Sequence, residues 1–209
     1  MTEEERGGEG PRLTKGRLEA LSDGIFAFAM TLLVIGLNLP DKTTLVQSNT
    51  VAWQYLLSLY SDFFHYILAF LILGAFWFSH HLQSHSVRVP DKTFIWINLV
   101  TLMFVALLPF STSFSGDFPN APLGAMVFEV NLFLIGMGMS CQWWYATRGN
   151  RLTESTLKPA FVQRVLVGNL VVPVVSVAAI LVALTGSLWS LALYMTIPGV
   201  HYLADRLFA

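Results

Sequence analysis

The sequence predicts an all-α polytopic membrane protein with six transmembrane helices per subunit, on three observations. Of 209 residues, 55% are hydrophobic and only 12% charged, with a mean hydropathy of +0.60; a soluble domain carries roughly 25% charged residues. The apolar residues gather in long stretches of about 20, the number of helical residues that crosses a hydrocarbon core of about 30 Å. The basic residues cluster on alternate connections between those stretches, as they do where one side of a membrane is cytoplasmic.

The elements follow in order. Residues 1–16, MTEEERGGEGPRLTKG, are acidic and lack an apolar core, so they read as a short cytoplasmic tail and not as a cleaved signal peptide. Residues 17–209 form the transmembrane domain, with spans near 17–39, 54–80, 94–115, 122–146, 162–184 and 187–206. Phe94 to Phe114 contains no charge, and neither does Val165 to Ala204, which Thr185, Gly186 and Ser187 divide into a tight helical hairpin. Arg6, Arg12, Lys15, Arg17, Arg88, Lys92, Arg148, Arg151, Lys158, Arg164 and Arg206 all fall on one side and only Lys42 on the other. Both termini are therefore expected in the cytoplasm, and the chain in the inner (plasma) membrane.

Composition excludes several function classes. With 12 Lys+Arg against 13 Asp+Glu there is no basic excess to recruit nucleic acid. The single cysteine, Cys141, allows neither an intrachain disulfide nor a thiolate metal cluster. The sequence has no GxxxxGK[ST] phosphate loop, no HExxH, no GxSxG and no TVGYG filter, so an ATP-driven pump, a zinc protease, a serine hydrolase and an ordinary potassium filter lose support.

The first span opens with Arg17, Leu18, Glu19, Ala20, Leu21, Ser22 and Asp23, and ionisable groups in a membrane helix need partners. Arg17, Ser22 and Asp23 do not share one close face, which points to bonds with other helices; an interfacial anchor and a helix cap are the plainer reading. Beyond them Gly24, Phe28, Thr31, Leu32, Ile35 and Asn38 recur at helical spacing and share a face. Such a face suits helix packing, or a narrow water pathway whose Phe28, Leu32 and Ile35 form a constriction controlled by wetting.

The second span ends in Trp77, Phe78, Ser79, His80, His81, Leu82, Gln83, Ser84 and His85. His81 and His85 share a helix face, but His80 and His81 diverge by about 100°, and five histidines are too few for a membrane di-iron enzyme. A polar network joining His80 or His81 to Asp23 or Arg17 at similar depth fits better than a metal site. The third span carries Asn98 and Pro109, the fourth Glu129 with Gly136 and Ser140 at packing distance, and Pro173 and Pro198 are expected to kink the last two.

These residues together resemble a known family: the bacterial relatives of transmembrane protein 175, the endosomal and lysosomal potassium channel. The family motif R-x-x-x-F-S-D, followed by an apolar helix with a Thr, is matched by Arg17, Leu21, Ser22, Asp23, Phe26, Ala27, Thr31, Leu32 and Leu33. Trp77, His80 and His81, then Asn98, then Pro109, Phe110 and Thr112 continue the match in order. The resemblance implies a potassium channel built as a homotetramer of six-helix subunits, with the first helix of each lining the pore and no re-entrant filter loop. It places the apolar constriction at Phe28, with Thr31, Leu32 and Ile35 beyond it. Arg17, Ser22, Asp23, Trp77, His80 and His81 would hold the pore helix in place. It also implies no cofactor other than the permeant potassium ion, no enzymatic activity, and the lipid bilayer as partner. Two positions depart from the pattern, Leu21 for the motif Phe and Phe28 for the usual Ile. A proton-coupled secondary carrier using Glu129, Asp23 or the histidines is the alternative, although only Ser61-Asp62 faintly echoes Ser22-Asp23 as an internal repeat would.

Overall fold

The computed structural model describes residues 14–37, 48–153, 157–185, 189–197 and 199–200. Helix α1 spans Lys15–Leu33 and tightens into a 3-10 turn at Val34–Gly36; α2 spans Asn49–Ser58, α3 Tyr60–Ser86, α4 Lys92–Asp117, α5 Pro122–Thr147 and α6 Pro159–Ala183. Five of these are long and apolar enough to cross a membrane: α1 with its 3-10 turn, α3, α4, α5 with the turn that follows it, and α6. Of the predicted tail, residues 1–13 lie outside the described residues, as do Asn38, Lys42, Gly186, Ser187, Pro198 and Arg206.

The predicted second span, 54–80, is divided and extended. Its first residues belong to α2, whose N-terminus is capped by the Ser48 hydroxyl accepting from the Val51 N–H at 3.3 Å. The chain leaves helical geometry at Leu59 (φ −78°, ψ 6°), and α3 starts at Tyr60 and runs to Ser86. It passes His80 because His80 and Gln83 are buried against other helices, so polarity there does not mark emergence into water. Of the predicted sixth span, Ser190–Thr196 winds as a 3-10 helix, with Tyr194 donating to the Ser176 hydroxyl of α6 at 2.9 Å.

Helices α4, α5 and α6 pack side by side, and α1 lies on α4 and α3. Small residues permit the closest approaches: an added Cβ at Gly136 would meet the Pro173 ring of α6, and one at Gly138 the Thr101 side chain of α4. Gly136 thus packs where the sequence places a small-residue face, and Pro109 and Pro173 both lie inside their helices. The core between these helices is built from Phe26, Leu73, Leu102, Leu108, Leu132 and Ile135, all almost fully buried.

A second, smaller core of Leu18, Val87, Phe94 and Ala146 closes the end of the bundle where the basic connections meet. Asp91 organises it: one carboxylate oxygen caps α4 by accepting from the Phe94 N–H at 2.8 Å, and the other accepts from the Tyr145 hydroxyl at 2.6 Å. Chain reversal after α5 uses two left-handed residues, Gly149 (φ 66°) and Asn150 (φ 51°), types that tolerate this region. The connection then returns to pair Arg88 N–H with Leu152 C=O at 2.8 Å.

Candidate functional site

Helix α1 has two unlike faces. Leu18, Ser22, Phe26, Ala29 and Leu33 are buried and follow the i, i+4, i+8 rhythm of one packed stripe. At about 100° per residue, Gly24, Phe28, Thr31 and Ile35 point to the opposite side, and there Phe28 is 65% and Ile35 69% exposed. Leu32 lies at the flank of this face and is half-buried, and Arg17 continues it one heptad before Gly24. The Thr31 hydroxyl donates to the Phe28 carbonyl at 2.8 Å, which leaves its oxygen lone pairs turned outward. Asn38 lies outside the described residues.

The buried face is fixed by a chain of hydrogen bonds centred on Asn98 of α4. Its side-chain oxygen accepts from His80 Nε2 of α3 at 2.8 Å and from the Gln142 amide of α5 at 3.1 Å. Its amide donates to the Ser22 hydroxyl at 3.1 Å, and that hydroxyl donates to the Leu18 carbonyl at 3.0 Å. The direction of each donation is consistent along the chain, so His80 carries its proton on Nε2. All four side chains are at most 3% exposed. Four helices therefore meet in one polar knot, and the Phe26 ring lies 5.7 Å from the His80 ring beside it.

A second contact lies nearer the surface. Trp77 Nε1 donates to Asp23 at 2.9 Å, tying α3 to α1 on its exposed side. The Trp77 ring stacks on His81 at 5.8 Å, and His81 meets His85 edge to face at 4.7 Å. Lys15 completes the edge by donating to the His85 carbonyl at 3.3 Å and facing Glu19 at 3.7 Å. Of the six motif residues, the structure thus brings Ser22 and His80 together through Asn98, and Asp23, Trp77 and His81 together in a row. Arg17 is exposed and joins neither group. No cluster of three or more His, Cys, Asp or Glu with metal-binding geometry occurs among the described residues.

Sequence reasoning named Asn98 but not its partner Gln142, and it missed the Ser79, Gln83 and Asn169 cluster. There Ser79 donates to Asn169 Oδ1 at 2.7 Å and Gln83 donates to the same oxygen at 3.1 Å. The available signal was an amide side chain inside each apolar stretch, since such groups are costly in a bilayer unless bonded.

This arrangement allows comparison with known proteins. The sequence profile of the endosomal/lysosomal potassium channel TMEM175 matches residues 17–109. A potassium channel of Chamaesiphon minutus is 31% identical over 140 residues, covering 66% of this chain and 68% of that protein. The chain belongs to the TMEM175 family. A potassium channel of Streptomyces collinus is 28% identical over 143 residues, again 66% of this chain and 68% of the relative. In architecture, the crystal structure of a lysosomal potassium-selective TMEM175 homologue from Chamaesiphon minutus superposes with a TM-score of 0.76, at 24% identity, over 90% of this chain and 96% of that one.

The TMEM175 family is one of ion channels, not of enzymes. Its matched segment includes α1, α3 and the first two-thirds of α4, and so holds Ser22, Asp23, Trp77, His80 and Asn98. Gln142 and Asn169 lie beyond it.

Proposed function

We propose that this TMEM175 chain is a potassium-preferring cation channel, assembled as a homotetramer in the inner membrane with both termini cytoplasmic. Residues 17–209 form a six-helix channel domain without a re-entrant filter loop, and residues 1–16 form the tail. The single observation that carries this reading is the face of α1, Gly24, Phe28, Thr31 and Ile35, that is left exposed among the described residues and set opposite a face locked into the subunit by Asn98. One chain with one such helix does not enclose a pathway, whereas a ring of copies does.

In this reading, Phe28 side chains from the four subunits form an apolar constriction, with Leu32 and Ile35 extending it. A potassium ion gives up part of its hydration there, and sodium, which holds water more tightly, is disfavoured. Aromatic faces offer a cation weak compensation that an Ile ring lacks. Thr31, whose proton is engaged by the Phe28 carbonyl, presents oxygen lone pairs just beyond the ring. Ser22, His80, Asp23, Trp77 and His81 fix the angle of α1 and do not touch the ion; Arg17, on the same exposed face, lies toward the basic end of the pathway.

Flux in liposomes holding the purified protein, with potassium and sodium compared, tests this. The expected result is rapid potassium-preferring flux, altered in rate or selectivity by Phe28→Ala. Equal flux in wild type and variant with unchanged selectivity removes Phe28 from the pathway. Slow saturable turnover without discrete current steps assigns the chain to the carrier class instead.

A further inference from the structure

His81 and His85 stand one helical turn apart near the end of α3, and both are exposed. At 1.5 Å per residue this 27-residue helix is about 40 Å long, more than the roughly 30 Å of a hydrocarbon core, so its last turns have room to emerge. The surface beside them is polar. Lys15 of α1 donates to the His85 carbonyl at 3.3 Å and faces Glu19 at 3.7 Å, and Asp23 accepts from Trp77 at 2.9 Å. This edge therefore presents charge to its surroundings and not an apolar wall.

Both imidazoles are engaged through ring contacts. His81 lies on Trp77 at 5.8 Å, and it meets His85 at 4.7 Å with 74° between the ring planes. An imidazole nitrogen lone pair is a ligand suited to Zn²⁺ and Cu²⁺, whereas Mg²⁺ takes oxygen donors. With metal–nitrogen bonds of about 2.0–2.1 Å, two imidazoles on one tetrahedral ion have their centroids about 5 Å apart. The rings of His81 and His85 already stand close to that separation, and both are open to water. The neighbouring carboxylates are committed elsewhere, Asp23 to Trp77 and Glu19 to Lys15. This agrees with the absence, among the described residues, of a metal-binding group of three or more such side chains. The carboxylates supply negative charge along the edge and leave the chelate to two nitrogens.

We propose that His81 and His85 chelate one divalent transition-metal ion of the Zn²⁺ and Cu²⁺ class per chain, each through one ring nitrogen, with water in the remaining positions. An edge-to-face contact of two neutral imidazoles with no further role predicts no such affinity. Because His81 stacks on Trp77, which bonds to Asp23, the ion fastens the α3 side of a contact that holds α1. Binding is independent of whether the assembly conducts.

Titration calorimetry of the tag-free full-length protein in detergent, with Zn²⁺ and with Mg²⁺, tests this. Wild type is expected to bind one Zn²⁺ per chain and no Mg²⁺. His81→Gln and His85→Gln, both changes at exposed positions, should each weaken Zn²⁺ binding by about tenfold or more, since loss of a group that merely supports a ligand already costs about 10–100-fold. His65→Gln, near the opposite end of α3, should leave binding unchanged. Electron spin echo modulation of bound Cu²⁺ should count two imidazoles in wild type and one in either variant. No Zn²⁺ binding by wild type, binding unchanged in both variants, or a single imidazole on Cu²⁺ in wild type overturns the proposal. Equal uptake of Zn²⁺ and Mg²⁺ overturns it in favour of Glu19 and Asp23 as the ligands.

Discussion

Asn98→Leu is the substitution that tests the polar knot most directly, because Leu is close to Asn in size and lacks every polar atom. It removes three hydrogen bonds: those accepted from His80 Nε2 at 2.8 Å and Gln142 at 3.1 Å, and the one donated to Ser22 at 3.1 Å. Two buried donors, on His80 and Gln142, are left without acceptors. Ser22 keeps its bond to the Leu18 carbonyl and loses only an incoming donor. Interhelical hydrogen bonds in membranes average about 0.6 kcal/mol each because the separated helices find other partners, whereas a stranded buried donor costs about 1–3 kcal/mol. The first route gives about 2 kcal/mol for three bonds, and the second gives at least that for two donors. The expected destabilisation is therefore about 2–3 kcal/mol, measured as a shift in the equilibrium denaturation of the protein in mixed micelles. A cycle with His80→Phe should show non-additivity of about 1 kcal/mol, since both changes remove the same bond. A cost below about 0.5 kcal/mol for Asn98→Leu, or strict additivity with His80→Phe, refutes the knot as the fastening of α1.

Other substitutions separate packing from pathway. Gly136→Ala should destabilise the fold by about 1–3 kcal/mol, since its new methyl meets the rigid Pro173 ring; a thermal midpoint equal to wild type would show that α5 and α6 separate freely there. Gly24→Ala has nothing within 4 Å of the added carbon, and a better helix former should leave stability unchanged or raise it by up to about 1 kcal/mol. Its ion flux should nonetheless change if this face lines the pathway, and unchanged flux would take Gly24 off it. Asp23→Ala strips the acceptor from the half-exposed Trp77 indole, a loss of about 1 kcal/mol to one chain, with weaker assembly and altered conductance as the expected outcome. Normal oligomers with normal conductance in that variant would show that the Asp23–Trp77 bond does not position α1.

The spans were legible in the sequence where apolarity and helix coincide, as in α4, α5 and α6, whose ends fall within a few residues of the expected ones. They were misread where those two properties part. At its far end α3 carries His80 and Gln83, which a hydropathy scan counts as solvent-facing, yet both point into protein and the helix continues to Ser86. At its near end the apolar run crosses Leu59 without a polar interruption, and only the Ser48 cap and the local backbone turn reveal a separate α2. Arg17, Ser22 and Asp23, which the spacing already sets on different faces, do diverge, and Ser22 and Asp23 bond to other helices. Ser22 faces the core, Asp23 the edge and Arg17 the open side, because successive residues diverge by about 100°. Gln142 and Asn169 escaped notice because a lone amide in an apolar stretch has no spacing signature. Its partner lies on another helix, and only tertiary packing brings the two together.

The same limitation explains why the orientation of α1 was open from sequence and closed by structure. In a soluble protein the apolar side of a helix identifies the core, but a membrane helix is apolar on the lipid side too, so hydrophobicity does not report rotation. What does report it is the polar minority. Ser22 is drawn inward because Asn98 offers it a bond that lipid does not, and Asn98 is held in turn by His80 and Gln142. Once Ser22 is fixed, the helical repeat leaves no freedom: Phe26, Ala29 and Leu33 follow it into the core, and Gly24, Phe28, Thr31 and Ile35 are turned outward. A rotation by one residue, about 100°, would carry Ser22 to the flank, away from Asn98, and swing the Gly24, Phe28, Thr31 and Ile35 face off its outward direction. The buried knot and the exposed face are therefore two ends of one constraint. In the proposed channel, a defect in Asn98 is expected to alter flux through the angle of α1 and not through any contact with the permeating ion.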